Sequence, residues 1–171
     1  MPITIKNSKG FSIVEVMVAV LVLAIGILGI AGLQLTGVKN NHSAYLRSQA
    51  TLFAYDMIDR ARANPVAYAA GLYNRPASAI DANCATTTGC TPAAMAGNDM
   101  YEWTSAAYNG SISTILPSGQ TIICLDSTFN DGASAALHAC DGLGSVYAVK
   151  IWWADDKNGA LKRFVTTAVI Q

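Results

Sequence analysis

Charge is scarce where this chain begins. Residues 1–10 carry Lys6 and Lys9 but no acid, and the 23 residues from 11 to 33 hold one ionisable side chain, Glu15. Over all 171 residues, 11 basic and 11 acidic side chains give a formal net charge of zero. No basic stripe stands out, so there is no electrostatic case for nucleic acid. Histidine is nearly absent, with only His42 and His138 far apart, and no Cys-x-x-Cys occurs, so zinc-site spacing is missing. There is no phosphate-binding loop, and no nucleophile has a base set beside it by sequence. The chain therefore offers no catalytic constellation, no metal site and no cofactor motif.

What is present is a long apolar run with an acid near its start. Residues 11–33, at about 1.5 Å each, would span roughly 35 Å as a helix, enough for the hydrocarbon core of a bilayer. An ionised carboxylate in such a segment costs roughly 2.5–3.5 kcal/mol near the centre and less toward an end, so a lone acid there usually has a function. Lys6 and Lys9 precede the run and only Lys39 lies close after it, which places the N-terminus in the cytoplasm and the remainder across the membrane. A secretory signal puts a small-residue cleavage site after its apolar stretch. Here Gly10 stands before it, and a cut between Gly10 and Phe11 would leave the apolar segment on the mature protein.

All four cysteines, Cys84, Cys90, Cys124 and Cys140, lie beyond the apolar run, where an oxidising compartment favours disulfides. Three pairings can be drawn; the local pairs, Cys84 with Cys90 and Cys124 with Cys140, are favoured.

After the membrane run a helical pattern continues through Leu35, Val38, Tyr45, Leu46, Leu52, Phe53, Met57, Ile58 and Ala61. One helix is expected from about 11 to 63, ending at Asn64 because a residue before proline is pushed out of α geometry. At 1.5 Å per residue it would be roughly 80 Å long. Gly26, Gly29, Gly32 and Gly37 weaken its middle, either for close packing between helices or for local unwinding.

Residues 65–97 read as an aperiodic loop, and Asn98 as the N-cap of a short second helix through about Ile115, with Trp103, Ala107 and Leu116 as contacts. Strands are expected at 120–125, 145–154 and 161–170. In the middle one Tyr147, Val149, Ile151 and Trp153 form one apolar face. The stretch 155–159, Asp-Asp-Lys-Asn-Gly, predicts a hairpin turn joining the last two strands. A small antiparallel sheet covered by the amphipathic helix half, 45–61, completes an α+β head.

The order of basic leader, Gly10-Phe11, apolar helix and Glu15 resembles the class III signal of type IV prepilins. The resemblance implies a type IV pilin-like fold, with a removed leader (1–10), a transmembrane and filament-core helix (11–33), an amphipathic helix half (34–64) and a globular head (65–171). It implies cleavage by prepilin peptidase after Gly10, methylation of the Phe11 amine, and pairing of Glu15 with the Phe11 amine of a neighbouring subunit.

Three stretches are similar to the PilV-type minor pilins: Gly-Leu-Gln at 32–34, Asp-Arg-Ala-Arg-Ala-Asn-Pro at 59–65, and Cys-Leu-Asp-Ser-Thr at 124–128 with Val-Lys-Ile-Trp-Trp at 149–153. That similarity implies a non-enzymatic subunit of the inner membrane and then of a surface filament. It would join other minor pilins to start or cap the filament, in contact with the major pilin, the assembly platform and the lipid bilayer. A minor pseudopilin of a type II secretion system is the alternative. A single-pass anchored periplasmic binding module is a second, though it gives no reason for Gly10-Phe11 with Glu15.

Other polar groups read more plainly. Asp56 and Arg60 are spaced for a surface ion pair, beside Asp59 and Arg62. Asp126, Asn130, Asp131 and Asp141 make the interval between the last two cysteines acidic, but EF-hand spacing is absent, and turn formation by Asp131-Gly132 and Asp141-Gly142 accounts for them. His42 and His138 read as surface residues.

Overall fold

The computed structural model describes residues 10–155 and 160–169. It divides into two units, Met1–Asn41 and His42–Gln171. Helix α1 runs over Ile13–Ala63. Asn64 ends it and at the same time starts α2, Pro65–Ala69, where the Asn64 side chain accepts from the Ala67 N–H and Pro65 takes the first helical turn.

The segment expected to be an aperiodic loop holds α2, a short 3-10 turn at Ala82–Ala85 and the opening of α3, Pro92–Thr104. Thr91, not Asn98, caps α3, accepting from the Ala94 N–H at 3.2 Å with Pro92 behind it. Asn98 sits inside the helix, where it donates to Glu102 at 3.1 Å and accepts from the Asp81 N–H at 3.2 Å. The Thr-Pro pair supplies both a cap and a preset φ, which outweighs the cap preference of a later Asn. The expected helix through Ile115 breaks: Gly110 lies at φ +88°, and a separate turn, α4, covers Ile112–Ile115.

Strands β1 (Gln120–Leu125), β2 (Val146–Trp153) and β3 (Lys162–Val169) form an antiparallel sheet in the order β1-β2-β3. Ile123 pairs with Val149, and Ile151 with Phe164. The turn expected at 155–159 falls mostly on 156–159, outside the described residues.

Within the second unit, Leu46, Ala50, Ala54, Met57, Ile58 and Ala61 recur at helical spacing and share one core with Tyr147, Val149, Ile151 and Trp153 of β2. Each fully buried large side chain contributes about 1.5–3 kcal/mol. Tyr45 and Leu52, read with this stripe, are exposed at 55% and 60%: their spacing fits a helix but places them off the buried face. Trp103 and Leu116 join the core, whereas Ala107 is exposed. The Trp103 indole donates to the Phe53 carbonyl at 3.0 Å, fastening α3 to α1.

The sheet does not have one apolar face and one wet one. Ala148, Lys150 and Trp152, on the opposite face of β2, are buried as well. The chain between Cys124 and Cys140 lies over them: Lys150 Nζ reaches the His138 carbonyl, Arg163 reaches the Gly132 and Asn130 carbonyls, and Gln120 accepts from the Ala135 N–H.

Candidate functional site

The first unit presents the start of α1. Gly10 and Phe11 precede the helix, and Phe11 is 82% exposed. The Ser12 carbonyl accepts from the N–H groups of Glu15 and Val16, at 3.1 and 3.2 Å, and so opens the helix. Glu15 falls in the first turn, where the unpaired N–H groups and the helix dipole favour a negative charge. It is exposed and makes no ion pair among the described residues. Phe11, Glu15, Ala19 and Leu23 follow one stripe of the helix along an open, mostly apolar hollow.

From Ile13 to Leu35 every large apolar side chain of α1 is exposed, and nothing lies within 4 Å of where a Cβ would stand on Gly26, Gly29, Gly32 or Gly37. The helix is continuous through these glycines. It is long and apolar enough to cross a membrane. A surface of this kind needs lipid or neighbouring helices to cover it.

In the second unit all four cysteines are oxidised, as Cys84–Cys90 and Cys124–Cys140. Cys124, Asp126 and Cys140 converge, but both sulfurs are spent in a disulfide, so the trio offers a single carboxylate and no metal cage.

Two polar networks hold the head together, and neither was legible as such from sequence. Lys150 has no solvent exposure; its Nζ lies 2.6 Å from Asp126 Oδ2, 2.6 Å from Asp131 Oδ1 and 2.9 Å from the His138 carbonyl. The ammonium donates to Asp131 and to the His138 carbonyl, while Asp126 Oδ2 faces it as an ion-pair partner without hydrogen-bond geometry. Asp126, read above as a turn former, does accept from the Thr128 N–H at 3.0 Å and is also buried and ion-paired. His138 is half-buried: its Nδ1 accepts from the Cys140 N–H at 2.9 Å, so it is not the surface residue expected. The Lys150 hydrogen bond holds the Asp131 carboxyl below its ordinary range. Asp141 is lowered too, chiefly by the Ser127 hydroxyl, and Gly132 and Gly142 adopt φ of +86° and +74°, in keeping with Asp-Gly turns. The available signal was a lysine amid an apolar strand, with an acidic disulfide loop upstream.

The second network joins α1 to α3. Arg60 pairs with Asp56 at 2.9 Å, as its spacing predicts, and also with Glu102 at 2.7 Å and Asp99 at 3.7 Å. The surface pair is thus one arm of a tertiary clamp. Burial works to lower the Arg60 pKa, but the Glu102 and Asp56 carboxylates outweigh it and raise it. Burial raises Asp99, against the opposing hydrogen bond from the Tyr73 hydroxyl at 2.5 Å. Arg62 and Asp59 remain an exposed pair at 3.9 Å.

A long helix with an uncovered apolar first half long enough to cross a membrane, and a disulfide-bonded unit with a three-stranded antiparallel sheet, make an α+β protein that fits the pilin class. Residues 5–31 match the family model of the prokaryotic N-terminal methylation motif, and residues 32–101 match that of type IV pilin Tt1218. The chain is a type IV pilin-like protein with a class III prepilin signal, and its role is structural. Comparison with curated proteins and with solved structures gave no significant match.

Proposed function

We propose that this protein is a PilV-like minor pilin of a type IV pilus. It joins a minor-pilin complex that starts or caps the filament, and so supports pilus biogenesis, twitching motility and adhesion. The observation that carries this reading is the uncovered apolar helix that opens on Gly10-Phe11 with Glu15 in its first turn. In this reading, prepilin peptidase removes residues 1–10 on the cytoplasmic side, and the Phe11 amine is methylated. That amine is a cation at the positive end of a helix, where the dipole disfavours it. Glu15 of a neighbouring subunit neutralises it, and the pairing sets depth and register as each subunit enters from the membrane. Residues 11–33 pack in the filament core, 34–64 carry the head, and 65–171 face the periplasm and then the cell exterior. Other minor pilins, the major pilin and the inner-membrane assembly platform are the partners.

The test is mass spectrometry of the mature N-terminus from the native host, beside a Glu15→Ala strain scored for surface pili and type II secretion. A chain beginning at methylated Phe11, with pili reduced and secretion intact, is the expected result. Lost secretion with normal pili would assign the chain to a pseudopilus. Retention of residues 1–10 with both phenotypes normal would overturn the filament reading.

A further inference from the structure

The two edges of the head sheet are treated differently. On β1 the outward groups are used: the Ile123 carbonyl accepts from the Arg75 N–H and the Leu125 N–H donates to Asn74 Oδ1, both at 3.0 Å. That edge is closed by the chain at 74–75. The alternation of an antiparallel ladder then fixes which groups on β3 face outward. Asp126 donates to the Val146 carbonyl, so Val146, Ala148, Lys150 and Trp152 turn their backbone groups toward β1, and Tyr147, Val149, Ile151 and Trp153 toward β3. Their β3 partners Ala168, Thr166, Phe164 and Lys162 are satisfied. Arg163, Val165, Thr167 and Val169 point their N–H and C=O groups away from the sheet. The Tyr68 hydroxyl occupies the Val169 carbonyl at 2.9 Å, and no other backbone hydrogen bond reaches this edge among the described residues.

An open edge is a template for another strand, and proteins that must avoid such pairing blunt it with charge, proline or a bulge. Here Lys162 and Arg163 occupy the first two positions, and residues 164–169 carry no charge and no proline. An open hollow of about 590 Å³ runs beside the basic end, lined by Arg47, Asn130, Trp152, Arg163, Phe164 and Val165 among others. Among the described residues Arg47 and Arg163 are its charged lining residues and no acid lines it. Residues 162–169 hold no acid, so a second copy of this strand brings no carboxylate to the same place in either orientation. An extended segment bearing acidic side chains fits both the backbone groups and the charge.

We infer that the outer edge of β3 receives an extended, acid-bearing strand from a different pilin-like subunit. The strand's backbone pairs with Arg163, Val165 and Thr167 and its carboxylates meet Arg47 and Lys162. This rests on the minor-pilin reading and names how the head recognises its neighbour. Main-chain pairing supplies the affinity, and the basic end selects among subunits.

The test uses the full chain in its native host, with a photo-cross-linking residue at Thr167 and the product mapped by mass spectrometry. A cross-link to an extended, acidic segment of another pilin-like subunit is expected. Val165→Pro removes one outward N–H without touching the β2 ladder, and should cut the yield about tenfold, the effect of one lost interfacial donor. Arg47→Glu with Lys162→Glu, at exposed side chains, should reduce it similarly, and serves if the proline variant fails to form its disulfides. A cross-link to a second copy of this chain, no cross-link, or a yield that neither variant lowers would overturn the proposal. The Glu15→Ala strain separates the two readings. Pili lost in that strain with the β3 variants fully piliated and cross-linking unchanged leaves the minor-pilin reading standing and sinks the edge pairing. Normal pili in the Glu15→Ala strain with residues 1–10 retained sinks the former.

Discussion

Lys150→Met should destabilise the head severely. Lys150 and Asp126 have no solvent exposure, and their charges lie 2.6 Å apart. The methionine fills much of the volume but leaves the Asp126 carboxylate buried without a counter-ion, a change that costs about 3–5 kcal/mol. Total stabilities run at about 5–15 kcal/mol, so this is a fifth or more of the fold, or roughly 10–20 °C in Tm for a unit of this size. Asp131 contributes less to the loss, because its side chain is 40% exposed and returns to water. The pair as a whole is a different matter, since the desolvation of two ions offsets much of their attraction. Lys150→Met combined with Asp126→Leu should therefore recover most of that loss, short of the hydrogen bonds that Lys150 gives to the His138 carbonyl and Asp126 takes from the Thr128 N–H. Urea unfolding of the full chain in detergent, followed by the fluorescence of Trp103, Trp152 and Trp153, measures both variants. A single variant within 1 kcal/mol of wild type, or a double variant less stable than the single, would refute the reasoning.

Three further outcomes are expected. Gly132→Ala adds a Cβ 2.5 Å from the His138 carbonyl at φ +86°, so it should cost about 2 kcal/mol or more and expose the 126–142 segment to proteolysis, whereas unchanged protection would show that the turn tolerates a side chain. Replacing Cys124 and Cys140 by serine opens a 16-residue separation and should cost about 3 kcal/mol, against about 2 for Cys84 and Cys90, by the same urea melts; equal losses would argue against a loop-entropy origin. The pH dependences of two acids should have opposite sign. Asp131 is lowered, so its contribution is present above about pH 4 and lost as pH falls through its folded value; the stability difference between wild type and Asp131→Asn should shrink in acid. Asp99 is raised, so its contribution is present below about pH 4 and lost as pH rises through its folded value; the difference from Asp99→Asn should shrink toward neutrality. Stability measured from pH 3 to 7 checks both, and slopes of like sign would refute the assignment.

Features set by neighbouring residues could be read directly. The end of α1 at Ala63 follows from Asn64-Pro65, because the proline acts on the residue before it. The uncovered helix start follows from 23 residues with one charge, and the three strands follow from period-two alternation. The start of α3 was missed because two cap signals compete, Thr91-Pro92 and Asn98, and local sequence does not rank them. Lys150 was misplaced for a deeper reason. Its strand neighbours say only that it faces away from the Tyr147 and Ile151 side; whether that side is wet depends on a loop 10 to 24 residues upstream folding back over it. Arg60 shows the same limit, since its Asp56 partner is one helical turn away while Glu102 arrives from another helix. Sequence alone determined the apolar helix, its acid and the three strands, all consequences of patterns within a few residues. Tertiary structure alone decided which charges are buried, which disulfide loop covers the sheet and which edge stays open, because those depend on segments that meet only after the chain has folded.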